Sequence, residues 1–102
     1  MMKLTREGVK TYLDSFSDAA FPLILVWYTR EAAVGTNYML KIVTADCCAY
    51  SDVRHLARAK GWEAVHQTQK RARVSYARVV SLVDAYCAMR GVTPPFVTEF
   101  KP

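Results

Sequence analysis

Residues 62–90 read WEAVHQTQKRARVSYARVVSLVDAYCAMR, and how this stretch is divided decides the fold. At helical spacing Trp62, Val65, Ala72, Tyr76, Val79, Val80, Val83, Tyr86 and Cys87 gather on one side, and His66, Lys70, Arg71 and Arg78 on the other. The period holds throughout and predicts one helix, ended by Gly91 and the Pro94-Pro95 pair. Twenty-nine residues at about 1.5 Å each make a rod of about 44 Å. A 100-residue domain has a radius of gyration of only about 13 Å. The rod must therefore protrude, be shared with a partner, or break, and Ser75 offers a cap for a break near Arg73–Ser75.

Upstream, a helix is expected to run to about Lys60, with Ser51 or Asp46 as its N-cap and Gly61 as its C′ residue. Across the junction, Leu56 to Trp62 reads LARAKGW. An apolar residue, a small Ala57, Gly61 for the turn and an apolar residue opening the next helix resemble the middle of a helix-turn-helix DNA-binding motif. Gln67 and Lys70 stand where such a motif places apolar anchors, so an ordinary corner between two helices is the simpler reading.

Two strands precede this region. Residues 21–29 (FPLILVWYT) are apolar on both faces, as in a strand buried on both sides. Residues 37–44 (NYMLKIVT) carry Lys41 among β-formers and read as the partner strand. The link REAAVGTN, with Gly35, suits a hairpin loop, and Pro22 belongs at the strand's start or edge. Two strands make a poor sheet. A third is expected from the tail at 96–100 (FVTEF), or else from a second protomer in a homodimer. The chain opens with another helix: Thr5 as N-cap, Glu7 in its first turn, Leu4 and Val9 as a staple, and Val9, Tyr12, Leu13 and Phe16 as its apolar stripe, ending at Ser17 and Asp18. Gly8 is a mild liability in its first turn. The expected fold is α+β, a small antiparallel sheet packed with three helices in the order α-β-β-α-α, as a single domain over residues 1–102.

Composition narrows the function. The chain has 52% apolar and 23% charged residues, an ordinary globular composition. The longest uncharged run, 19–29, is too short to span a bilayer, and the N-terminus lacks a signal-peptide pattern, so a cytoplasmic protein without membrane contact is expected. Three cysteines, two of them adjacent (Cys47, Cys48 and Cys87), do not form a disulfide framework. With His55 and His66 they lack the short chelating pairs of a zinc site, so no metal or cofactor is expected. Cys47 or Cys48 near a helix start is the one thinkable nucleophile, but no local signature supports it, and Asp46 and Asp52 read as caps. No Gly-rich phosphate loop is present, and the expectation is a protein that is not an enzyme.

What stands out is where the charge lies. The formal net charge is +5. Between residues 53 and 90 eight basic side chains face two acidic ones, a net +6, leaving the other residues at −1. Such a concentrated basic face suits an acidic partner. The leading expectation is a nucleic-acid-binding regulator that sets Arg54, Arg58, Lys70, Arg71, Arg73 and Arg78 against phosphates, with His66 adding a polar contact. The alternative is a small adaptor or inhibitor, of the kind encoded on a phage or plasmid, docking on an acidic or nucleic-acid-binding surface of a target protein. Trp27 and Tyr28 are adjacent on a strand and point to opposite faces. In the alternative reading one of them is core and the other, with Tyr38 or Met39, anchors the protein partner unless helices cover both faces.

Overall fold

The computed structural model describes residues 2–46 and 53–99. Its elements are α1 (Arg6–Asp14), a 3-10 turn (Asp18–Ala20), β1 (Ile24–Glu31), β2 (Thr36–Val43), α2 (Val53–Arg58), β3 (Trp62–His66), α3 (Gln69–Arg90) and β4 (Phe96–Glu99). The class is α+β with three helices, as expected. The order is α-β-β-α-β-α-β and not α-β-β-α-α.

β1 and β2 form the expected hairpin, in antiparallel register from Ile24↔Val43 to Glu31↔Thr36. Its loop closes on a hydrogen bond from the Ala32 N–H to the Gly35 carbonyl, 3.0 Å, with Gly35 in the left-handed region at φ 79°. The tail supplies an outer strand: β4 pairs with β1 from Ile24↔Phe96 to Trp27↔Glu99. It runs parallel to β1, so the four-stranded sheet, ordered β3-β2-β1-β4, is mixed and not purely antiparallel.

The largest correction falls on residues 62–68. Trp62 to His66 is not the start of the long helix but β3, antiparallel to β2 with Ile42↔Trp62 and Tyr38↔His66. Over five residues, alternation of Trp62, Ala64 and His66 fits a strand as well as a helix fits Trp62 and Val65. What decides is distant: the outer edge of β2 carries N–H and C=O groups that need a partner, and β3 supplies it. Gly61 serves this pairing. A Cβ there would run into the Ile42 carbonyl oxygen, so Gly61 lets the backbone approach β2 and is not the C′ residue of α2. The string LARAKGW is thus a helix-to-strand turn and no helix-turn-helix.

α3 begins behind Thr68, which is extended (φ −123°, ψ 141°) and whose hydroxyl accepts from the Arg71 N–H at 3.3 Å. The expected break near Arg73–Ser75 is absent. Ser75 caps nothing and is buried inside a continuous helix of 22 residues, about 33 Å long. Gly91 ends it as expected, left-handed at φ 77°, with its N–H on the Cys87 carbonyl.

α1 is capped by Thr5, whose hydroxyl accepts from the Gly8 N–H at 3.0 Å. It stops at Asp14, three residues earlier than Ser17. Gly8 proves necessary, because a Cβ there would collide with the Lys3 carbonyl oxygen. For α2, the candidate cap Ser51 lies outside the described residues, as do Cys47, Cys48 and Asp52. Asp46 instead accepts from the Thr44 hydroxyl at 2.6 Å.

Strand alternation makes two apolar layers. On one face Leu23, Leu25 and Ile42 pack against Val9 and Leu13 of α1 and Val79, Val83 and Cys87 of α3. Farther along that face Trp27 and Leu40 meet Ala72 of α3. On the opposite face Ile24, Val26, Tyr28, Met39 and Val43 are covered by Leu56 of α2. The two helical basic groups therefore sit on opposite sides of the sheet. No helix among the described residues is long and apolar enough to cross a membrane.

Candidate nucleic-acid interface

The sheet divides the basic residues expected to act together. Arg54 and Arg58 lie on α2, on one face; Lys70, Arg71, Arg73 and Arg78 lie on α3, on the other. The expected single surface is therefore divided into two groups on opposite faces of the sheet. His66 ends β3 on the α3 side, half-buried, and its Nε2 is enclosed without a hydrogen-bond partner, out of reach of an external phosphate.

The four α3 cations are all exposed. At about 100° per residue, Arg71 and Arg78 lie within about 20° of each other, whereas Arg73 lies about 140–160° around the helix. Val74, Ala77 and Ser81 occupy the outward arc between these flanks, and Lys70 shares it at the first turn. Val74 is 66% exposed. Sequence reading singled out none of these three, since only the burial of the opposite side defines which residues form the crest. Arg73 leans its guanidinium over the Trp27 ring, 5.6 Å from the centroid, which fixes its flank.

Three other cations, Arg90, Lys41 and Lys10, are committed elsewhere. The Arg90 guanidinium donates five hydrogen bonds, to the Leu13 and Phe16 carbonyls, the Tyr86 hydroxyl and, twice, the Asp18 carboxylate. It also lies over the Phe21 ring at 4.7 Å. It thereby caps the end of α1 and fastens it to the end of α3. Lys41, only 8% exposed in the middle of β2, donates to the Ala57 carbonyl at the end of α2, 2.8 Å, and pairs with Glu63 of β3 at 3.6 Å. The Tyr28 hydroxyl donates to the same Glu63 carboxylate at 3.3 Å, and burial, with the Glu63 charge second, pushes its pKa up to about 12. Lys10 pairs with Asp14 one turn on. That hydrogen bond, and then the one from Tyr86, hold the Asp14 carboxyl below its ordinary range.

α1 runs beside the C-terminal half of α3. The groove between them is lined by Arg6, Lys10 and Asp14 from one helix and Ser81, Leu82 and Tyr86 among others from the other. Lys70 to Arg78 fall outside it.

The aromatic anchors expected for a protein partner are not at the surface. Trp27 and Tyr28 do point to opposite faces, but both are covered, at 5% and 7% exposure. α3 covers the first through Ala72 and Tyr76, and α2 covers the second through Leu56 and Ala57. Tyr38 is half-buried beside Trp27, ring centroids 6.3 Å apart, and Met39 is fully buried. The Cys87 thiol is buried, and burial, with Asp84 second, raises its pKa, the opposite of an activated thiolate. Among the described residues no three His, Cys, Asp or Glu side chains converge as metal ligands.

No protein-family model, curated protein or solved structure matches this chain.

Proposed function

We propose that this protein is a non-enzymatic nucleic-acid-binding regulator that holds phosphates against the N-terminal half of α3 with Lys70, Arg71, Arg73 and Arg78. One observation carries the reading. Four exposed cations crowd the first three turns of a helix, two of them, Lys70 and Arg71, in the first turn, where the macrodipole favours acids. Among the described residues no ion pair within the fold uses Lys70, Arg71 or Arg78, whereas a polyanion gains a row of phosphate donors. Against the docking alternative stands the covering of Trp27 and Tyr28, which leaves only the half-buried Tyr38 of its aromatic candidates.

The test is fluorescence anisotropy with labelled oligonucleotides across salt. Four neutralised phosphates on duplex DNA give a slope of log K against log salt of about −3.6, or about 100-fold weaker binding between about 50 and 200 mM. The triple variant Lys70→Glu, Arg71→Glu, Arg73→Glu should abolish binding, while Arg58→Glu, across the sheet, should leave it within about threefold. Binding that survives the triple variant would overturn the proposal.

A further inference from the structure

Resting on that phosphate-binding reading, we infer a specific mode: α3 enters the major groove of B-form duplex DNA by its first three turns, with Val74 and Ala77 toward the base edges. Arg73 then meets one phosphate wall, and Arg71 and Arg78 the other.

Three features lead there. The first is the arc. On a flat anionic surface or a single strand, cations are useful on one flank only. Cations on both flanks of the crest, about 140–160° apart, suit anions on both sides of the helix at once. A groove about 12 Å wide, admitting a helix about 10–12 Å across with its side chains, provides that. The major groove of A-form RNA is too narrow to do so.

The second feature is the crest itself. Val74 and Ala77 are short side chains and both exposed, so the helix axis can approach base edges closely. Val74 is an apolar side chain left 66% exposed in the midst of cations, and a thymine methyl is the base-edge group that would cover it. No aromatic residue stands on this arc to stack on unpaired bases. The third feature is clearance. α1 lies beside residues 81–90, so among the described helices none flanks the first three turns of α3.

The experiment uses one sequence as a DNA duplex, an RNA duplex and a single DNA strand. Anisotropy is read on the wild-type chain and on Ala77→Trp, whose bulk falls on the exposed crest and leaves all four cations in place. Dimethyl sulfate reports on guanine N7 in the major groove and adenine N3 in the minor groove. The inference expects the DNA duplex to be preferred by about tenfold or more, Ala77→Trp to weaken that binding by a similar factor, and N7 but not N3 to be protected. Equal binding to all three ligands, a preference for RNA or a single strand, full N7 reactivity, or an unaffected Ala77→Trp each overturns the groove mode and leaves the phosphate-binding reading standing. No binding to any ligand at about 50 mM salt overturns both.

Discussion

The two ends of α3 use the same kind of side chain in opposite ways. At the C-terminal end Arg90 directs its guanidinium inward, each of its five N–H groups engaged by Leu13 of α1, by Phe16 or Asp18 just beyond it, or by Tyr86. At the N-terminal end Lys70, Arg71 and Arg78 engage no carboxylate among the described residues. Arg90 also sits at the helix end that favours a cation, whereas Lys70 and Arg71 lie in the first turn, which does not. The comparison separates charge that the fold consumes from charge left over for a partner, a distinction that a net charge of +5 conceals.

Substitutions at the two ends should therefore separate stability from binding. The largest effect on the fold is expected from Arg90→Ala, which strips the Leu13 and Phe16 carbonyls and Asp18 of their donors. Its thermal midpoint should fall by about 5–10 °C, measured by circular dichroism, with oligonucleotide affinity unchanged well below the transition. An equal loss of affinity would show that the ends are not independent.

A smaller effect of opposite sign is expected at the other end. Lys70→Glu with Arg71→Glu places acids at the start of α3 and should stabilise the fold by about 0.3–1 kcal/mol per site in urea titrations at low salt. A destabilised double variant would mean that these side chains serve the fold after all.

The smallest effect concerns Tyr76, between the two ends. Its hydroxyl is enclosed without a partner, and burial, with the Glu99 charge second, pushes its pKa up to about 12. The folded chain thus keeps a proton that an unfolded tyrosine releases near pH 10. Stability from this group is complete below pH 10 and is lost as the pH rises toward about 12. Tyr76→Phe should stabilise the protein at neutral pH by up to about 1 kcal/mol, since it removes an unsatisfied hydroxyl. It should also make alkaline unfolding less steep, with Tyr28, Tyr12 and Tyr86, whose pKa values are also raised, contributing to the remainder. An unchanged alkaline limb would rule out the buried-phenol account.

How much of this was legible follows from the range over which each signal acts. The Thr5 cap, the hairpin with Gly35 and the Gly91 stop are local and could be read directly. β3 could not, because five residues satisfy two periods and the choice belongs to β2, some twenty positions away. The same limit misplaced the basic face. Arg54 and Arg71 fit one helical surface only while 62–90 is a single rod, and once β3 intervenes the sheet lies between them. Lys41 stood out as a lone cation in an apolar strand, but its acceptor, the Ala57 carbonyl, is set by packing.

The strand order also has a kinetic side. β1 and β2, joined by a loop of four residues, occupy the centre of the sheet, whereas β4 must reach β1 from Phe96 back to Ile24. Loop-closure entropy grows with the logarithm of separation, which sets the second pairing roughly 2.5 kcal/mol behind the first. On this ground the hairpin is expected to form before the parallel β1–β4 seam closes, an order that hydrogen exchange during refolding would check.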